Sequence, residues 1–452
     1  MCGIYGITKK DYQLIQGYID ACAYRGPDGS DIWQDDHVTF GHNLLAITSQ
    51  PSEGKQPWIT EKGNVLIYNG EIFNYQELLT TFNFTPKTTC DTELLAHLLD
   101  HKGHDCVEHL DSMHGFAYYD RQNKTITLSR DHVGIKPLFY AEISDGIIFG
   151  SEIKGMIDHV PNARCIDEFA AAAMSYSGIN ATKHTMFTNI KKVLPGETLV
   201  YSIEHKKFVQ SQRTFITPNS NGALDNEQFR HEAHATVKMS TLGIRKFGMF
   251  LSGGLDSTLV AHELKNILGE VDSFTNEMNP NVIIGEDFNS DANCAKQFAD
   301  DIGLNHHRIE TTPNTVETYW TPAMQHMEQP VYNMSMPMYY YTNKCLSEKG
   351  VVVTMAGDMG DELLGGYQKY WKCKQDPPTS FDDMIWKWMH RIKRPVVLTT
   401  KIDAHDIKKE LMRTIPEQLW NDKDPVNSYM AVDCITQVPE EFFSRNDQYG
   451  MR

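Results

Sequence analysis

From Phe247 onward the sequence alternates strand-like and helix-like stretches, and this rhythm restricts the fold more than any other feature. "FGMFL" (247–251) reads as a short apolar strand, and residues 257–268 have helical spacing. "VDSFTNEM" (271–278) is a second strand, 287–302 a second helix, "HHRIE" (306–310) a third strand and "GVVVTMAG" (350–357) a fourth. Strands separated by helices cannot be joined by tight turns, so they form a parallel sheet with crossover helices. The chain before residue 216 has another texture. "NVLIYNGEIFNY" (64–75) is a strand followed by a turn, and "FAYYDRQNKTITLSRD" (116–131) is two strands around a polar turn. "PLFYAEISDGIIFGSE" (137–152) places Asp145-Gly146 between apolar runs, a hairpin signal. Helices lie between them, such as 91–101 with Leu94, Leu95, Leu98 and Leu99 on one face. The expected organisation is an α+β layered domain over 1–215, a polar linker over 216–230 and an α/β domain over 231–452. Three tryptophans in "WKCKQDPPTSFDDMIWKWMH" (371–390) have helix-like spacing and predict a packed helix.

Composition narrows the function classes. The chain has 452 residues, is 40% hydrophobic and 22% charged, and carries a formal net charge of −17. It can build sizeable cores, and its acidity argues against nucleic acid or an anionic membrane as the main partner. Nine cysteines with no CxxC suggest neither a disulfide framework nor a zinc knuckle. The start has no basic n-region or apolar h-region, and no apolar run approaches the roughly 20 residues of a membrane helix. The expectation is a cytoplasmic protein with reduced thiols.

The strand at 247–251 runs into "SGGLDS" (252–257), and a helix follows. Two glycines let the backbone curl so that N–H groups point at an anion, and the helix N-terminus adds its dipole. Asp256 is out of place beside an anion unless it holds Mg²⁺ that bridges to phosphate oxygens. The spacing is not that of a Walker A loop. A tight turn is the plain structural alternative. The string resembles the pyrophosphate loop of the N-type ATP pyrophosphatases, and "VVVTMAGDMGDELLGGY" (351–367) resembles the second acidic loop of the asparagine synthetases. That resemblance implies ATP contacts at Leu251, Ser252, Gly253, Gly254, Asp256, Ser257, Asn276, Ala356 and Gly357. It implies Mg²⁺ ligation by Asp256 and Asp361, and a catalytic carboxylate, Asp358, near an acyl-adenylate.

The chain opens "MCGIYGI". Removal of Met1 would leave Cys2 with a thiol and a free α-amine, although a small hydrophobe tucked into a sheet is the plainer reading. With "AYRGPDGSD" (23–31), "YNGEIFNY" (68–75), "CDTELLAHLL" (90–99), "HGFAYYD" (114–120) and "RDHVGIKPLFY" (130–140), this start resembles the class II (Ntn) glutamine amidotransferases. In order and spacing the motifs are similar to the amino-terminal half of the glutamine-hydrolysing asparagine synthetases of the B type. The implied fold is a four-layer αββα Ntn-hydrolase-like sandwich followed by an α/β parallel-sheet ATP-pyrophosphatase domain. By the same resemblance the Cys2 thiolate attacks the glutamine side-chain amide and its α-amine relays the proton. Asn69 and Gly70 stabilise the oxyanion, Asp91 holds the α-ammonium, and Glu71 lines the same wall. Taken singly, Asn69-Gly70 reads as a turn and Asp91 as a helix N-cap.

Two departures stand out. The family's H-x-R-L-x-I segment is "HNLLAI" (42–47), so the arginine that would clamp the glutamine α-carboxylate is Leu44. Weak glutamine binding, substitution by Arg25 or another cation, or use of free ammonia are the open consequences. "VPEEFFSRNDQYGMR" (438–452) resembles the family segment that precedes a further part of about 100 residues, which carries an adenylation lysine. A complementary carboxyl-terminal subunit or a truncation is expected, and a homodimer is an open expectation. The implied activity is glutamine-dependent asparagine synthesis from aspartate, with ATP and Mg²⁺ and with ammonia crossing an internal passage. A related amidation of another carboxylate, its acceptor pocket partly in 326–340, and a non-catalytic glutamine or nucleotide sensor are the alternatives.

Overall fold

The computed structural model describes residues 2–217, 225–279, 289–331, 333–390 and 401–451. Two compact units emerge: Met1–Pro218 with Lys369–Asp447, and Asn219–Gln368 with Gln448–Gly450. The described residues of 369–447, which the sequence reading places in the second domain, thus group with the first unit. Residues 218–224 of the linker stretch lie outside the described residues, as do the first positions of the helix expected at 287–302.

The strands in chain order are β1 (Gly3–Ile7), β2 (Gly29–Gln34), β3 (Thr39–Leu44), β4 (Trp58–Ile59), β5 (Val65–Ile72), β6 (Ser112–Asp120), β7 (Thr125–Arg130), β8 (Phe139–Ile143), β9 (Gly146–Gly150), β10 (Lys191–Lys192), β11 (Glu197–Ser202) and β12 (Lys207–Arg213). They build two antiparallel six-stranded sheets, ordered β10-β8-β9-β1-β3-β2 and β12-β11-β7-β6-β5-β4. The Asp145-Gly146 signal is realised as the β8–β9 hairpin, where Ile143 pairs with Gly146.

Period-two patterning explains the layers. On β5, Val65 and Ile67 join Ile4, Phe40 and Phe149 of the other sheet in the core between the sheets. Leu66, Tyr68 and Ile72 of the same strand point the opposite way and pack on Leu94, Leu95, Leu98 and Leu99 of the helix Asp91–Lys102. Tyr5 and Ile7 of β1 likewise pack outward on Leu14, Ile15, Tyr18 and Ile19 of the helix Tyr12–Ala21. The result is the αββα sandwich. Gly41 is needed for it: a Cβ there would lie 2.4 Å from Ile15 Cγ2, so a side chain would push the helix off its sheet.

The tryptophan-rich stretch departs from the single helix expected of it. It forms two helices, Gln368–Gln375 and Phe381–Met389, because Pro377-Pro378 cannot continue the backbone hydrogen bonding and Ser380 caps the second helix through Asp383 N (3.1 Å). Trp388 is fully buried and donates through Nε1 to Asp433 (2.8 Å), whereas Trp371 is 62% exposed.

The second unit holds a parallel sheet of β13 (Phe247–Phe250), β14 (Asp272–Met278), β15 (Asn305–Thr311) and β16 (Val353–Met355), ordered β15-β14-β13-β16. Helices Leu255–Leu268 and Ser290–Ile302 make the crossovers, with Met249, Leu251, Ala261, Leu264, Ala295 and Ala299 in its core. Among the described residues no helix is long and apolar enough to cross a membrane.

Truncation of Ile67, fully buried between the sheets, to alanine is expected to cost about 2–5 kcal/mol of stability. Ile59→Ala, at a position 59% exposed, is expected to stay within about 0.5 kcal/mol of the parent. Denaturant unfolding of the two variants checks the assignment of the core, and equal effects would contradict it.

Candidate functional site

The first candidate site forms where the inner row of β5 turns from apolar to polar. After Val65 and Ile67, the next inward positions are Asn69 and Glu71, which are buried. Cys2, at the entry to β1, meets them from the other sheet: its nitrogen donates to Asn69 Oδ1 at 2.9 Å. Its thiol lies 3.8 Å from the Leu45 carbonyl oxygen. Burial pushes the thiol pKa upward. Asn69 Nδ2 is buried and has no hydrogen-bond partner, so one amide donor beside the thiol is uncommitted.

Asn69 and Gly70 are not a turn. They are strand residues of β5, opposite Gly115 and His114 of β6. A Cβ on Gly70 would come within 2.2 Å of the Met113 carbonyl oxygen, so glycine is required by the close approach of β6. Asp91 is not an N-cap either. Cys90 holds that position without a capping bond, and the Asp91 carboxylate accepts from Tyr68 Oη (3.0 Å) and Ile72 N (3.1 Å). Burial raises the Asp91 carboxyl to about 6, although these bonds oppose the rise. Glu71 is pushed up to about 8, first by burial and then by the Asp91 charge, and its Oε1 has no partner. The structure therefore gathers Cys2, Asn69, Glu71 and Asp91 at one end of the sandwich.

Leu44 is buried and packs with Cys2 and Ala46 in a small apolar cluster. Arg25 does not act as a free cation in its place. Its Nε donates to the Cys2 carbonyl (3.1 Å), one terminal nitrogen to Glu152 (2.9 Å) and the other to Asp447 (2.8 Å). The sequence leaves open Arg25 or another cation as a substitute clamp, and the Arg25 guanidinium is instead engaged inside the fold. Glu152 and Asp447 are absent from that reading, since nothing local marks a partner 422 residues away.

The second candidate site lies beyond β13. Gly253 has φ +82°, a left-handed conformation that favours glycine, and a Cβ there would meet Asp291 O at 2.6 Å. Ser252 Oγ and Ser257 Oγ are 2.9 Å apart, and Ser252 N donates to Ser257 Oγ at 3.2 Å. Ser252 and Gly254 are exposed at the start of a 14-residue helix, where Gly254 N donates to Ser252 Oγ (3.3 Å). Leu251 is buried, with its N–H on Phe274 O (2.9 Å). Asn276, on the neighbouring strand, has its Oδ1 held by Thr342 Oγ1 (2.7 Å).

The acidic loop after β16 folds against this turn. A Cβ on Gly357 would lie 2.6 Å from Ser257 N, and one on Gly360 would lie 2.4 Å from Asp256 Cγ. Ala356, Gly357, Asp358 and Asp361 are half-buried beside it. Burial and then the charge of Asp361 raise the Asp256 carboxyl. Two repelling carboxylates next to a solvent-facing anion loop suit a divalent cation, with ligand oxygens to complete its shell. Among the described residues no group of three or more His, Cys, Asp or Glu side chains could hold a metal unaided. In the segment 326–340, Tyr332 lies outside the described residues.

Two family models match the chain: a glutamine amidotransferase domain over residues 1–214 and asparagine synthase over residues 228–452. Curated relatives include asparagine synthetase [glutamine-hydrolyzing] 2 of Bacillus subtilis, 28% identical over 87% of this chain and 56% of that protein. Asparagine synthetase B [glutamine-hydrolyzing] of Escherichia coli is 26% identical over 82% of this chain and 66% of that protein. The chain thus spans between half and two thirds of the length of these relatives. Among solved structures, glutamine phosphoribosylpyrophosphate amidotransferase of B. subtilis aligns over 60% of this chain and 65% of its own, at 15% identity and a TM-score of 0.34. The two models follow one another over residues 1–214 and 228–452, and the chain belongs to the family that joins a glutamine amidotransferase domain to an asparagine synthase domain.

Proposed function

We propose that this chain is a glutamine-dependent asparagine synthetase, which releases ammonia at Cys2 and uses ATP to activate the β-carboxylate of aspartate. One observation carries the reading: a buried thiol whose own nitrogen is fixed on Asn69 Oδ1, beside an uncommitted Asn69 Nδ2. With Met1 removed, that nitrogen becomes the α-amine, with an ordinary pKa of about 7.7–8.0. It takes the thiol proton as sulfur attacks the glutamine amide carbon. The oxyanion gains the free Asn69 donor together with the backbone at Gly70. When the C–N bond breaks, the ammonium proton of Cys2 goes to the leaving nitrogen, and water then cleaves the γ-glutamyl thioester.

The loop 252–257, exposed at Ser252 and Gly254, suits a pyrophosphate by the helix N-terminus it opens and by the hydroxyls of Ser252 and Ser257. Asp256 and Asp361 would hold Mg²⁺, which neutralises phosphate charge when bound. Ala356 and Gly357 would line the nucleotide, and Asp358 would face the activated carboxyl group. AMP leaves when ammonia attacks that group.

Aspartate-dependent exchange of labelled pyrophosphate into ATP is the expected result, and exchange only with a different acid would overturn the choice of acceptor. In the same preparation Cys2→Ala is expected to abolish glutamine hydrolysis while ammonia-driven synthesis stays within about threefold of the parent, since only the nucleophile is lost. Parallel loss of both activities would contradict two separate sites.

Asp91 must be ionised to hold an ammonium. kcat/KM for glutamine is therefore expected to rise as pH increases through about 6, the pKa to which burial lifts Asp91. Asp91→Asn should remove that limb of the profile, as steady-state kinetics between pH 5 and 7.5 would show. Leu44→Arg is expected to lower the glutamine KM by about tenfold with kcat little changed, through a charge-assisted contact to the α-carboxylate. An unchanged KM would mean that the carboxylate is bound elsewhere.

A further inference from the structure

The Arg25 guanidinium holds the main chain of the nucleophile, and Asp447 holds Arg25. All three Arg25 donor groups are used: Nε on the Cys2 carbonyl, and the two terminal nitrogens on Glu152 and Asp447. The Arg25 side chain has no exposed surface, and those of Glu152 and Asp447 have 1% each. Lys136, also buried, reaches the second Asp447 oxygen at 3.4 Å. Asp447 therefore separates two buried cations that would otherwise repel each other. Burial works to raise its pKa, but Arg25 and Lys136 hold it below the ordinary carboxylate range, so it is charged. On the far side, Glu152 is also bound by Lys154 (2.5 Å) and Tyr24.

We infer that Asp447 is a positioning residue for the glutaminase step: through Arg25 it fixes the Cys2 carbonyl, and so the direction in which the thiol points. The inference rests on the reading of Cys2 as a glutamine-cleaving nucleophile, and no mechanism step above uses Asp447. The geometry gives the chain of cause. A guanidinium is a rigid planar fork, so one displaced partner turns the whole group. Loss of the Asp447 charge leaves Arg25 and Lys136 facing each other in a buried site, and Arg25 relaxes toward Glu152. The Cys2 carbonyl then loses its donor, while Asn69 Oδ1 still holds the nitrogen. The residue pivots about that remaining bond, and the sulfur leaves the line of attack. Misplacement of a reacting atom by about 1 Å can cost about 100-fold in rate.

Asp447→Asn keeps the shape and removes the charge. It is expected to lower glutaminase kcat by about 30-fold or more, with the glutamine KM within about threefold, because substrate contacts are untouched. Rates are taken per Cys2 titrated with a glutamine analogue that alkylates the thiol, so that a smaller folded fraction cannot mimic the loss. In a double-mutant cycle, Arg25→Lys should give a similar loss, and the pair should be little worse than either alone. Asp447→Glu keeps the charge but shifts the carboxylate by one methylene. It answers if the asparagine variant does not fold, with an expected fall in kcat of about tenfold. Parental kcat per titrated thiol in either folded variant, or strict additivity with Arg25→Lys, would overturn the inference. Iodoacetamide alkylation of Cys2, followed by peptide mass spectrometry, needs no turnover of glutamine. A changed alkylation rate in Asp447→Asn, in a parent that shows no glutaminase activity, would refute the functional reading and leave the positioning role standing. An unchanged rate would count against the positioning role.

Discussion

The bond from Cys2 N to Asn69 Oδ1 joins the two sheets of the sandwich, and the first site depends on it. Cys2 enters the sheet that holds β1, and Asn69 belongs to β5 of the other. Both strands must therefore be in register with their neighbours before the two residues can meet. A slip of β5 by one residue would turn Asn69 toward the helical layer and bring Tyr68 or Gly70 into its place. Pairing of β5 with β6 over eight consecutive residues fixes that register. The apolar row of Val65 and Ile67 is thus functional as well as structural: it sets the phase in which Asn69 and Glu71 point inward.

Much of this was legible in the sequence, because it follows from period and local chemistry. The β8–β9 hairpin follows from Asp145-Gly146, and the helix at 91–102 from its leucine face. The parallel sheet follows from strand–helix alternation, and the bend at Gly253 from paired glycines. Features that need two distant parts of the chain were not legible. Asp91 looks like a capping residue, yet its carboxylate is turned to Tyr68 and Ile72 of β5, which no spacing rule reports. Asn69-Gly70 has turn composition but is held extended by β6, whose backbone leaves no room for a side chain at Gly70. The tryptophan stretch differs from its pattern for a local reason. Its helical spacing runs across Pro377-Pro378, where proline ends the helix and resets the phase.

The two candidate sites are built on opposite electrostatic plans. At the Cys2 end the ionisable groups are withdrawn from water, and burial moves each toward its neutral form: the thiol up, Asp91 to about 6, Glu71 to about 8. The loop 252–257 instead lies at a helix terminus with Ser252 and Gly254 exposed, where the helix dipole favours a ligand that brings its own negative charge. On the proposed reading, the same acidic chain would hold a small amino acid in one place and a polyphosphate in another. The −17 net charge does not forbid the latter, because on the proposed reading an anion there would meet local backbone dipoles, and Asp256 and Asp361 would hold a cation that offsets its charge.

Burial of the thiol also constrains the proposed chemistry. A thiol whose pKa is raised is not a standing thiolate at neutral pH, so the proton must leave as the attack begins. The neighbouring side chains are poorly matched to receive it. His42, two strand positions from the Leu44 that packs on Cys2, is driven by burial to about 3 and is too weak a base. Glu71, at about 8, is mostly protonated already, and the Asp91 carboxylate is engaged by Tyr68 and Ile72. The nitrogen of Cys2 itself is left, and Asn69 Oδ1 fixes its position. An amine with a pKa near neutrality, tethered to the carbon that bears the thiol, needs no approach from outside and loses little freedom in accepting the proton. On the proposed reading, with Met1 removed, Cys2 is thereby more than a small hydrophobe in a sheet: the burial that makes it a poor thiolate would also keep water away from the nitrogen placed to activate it.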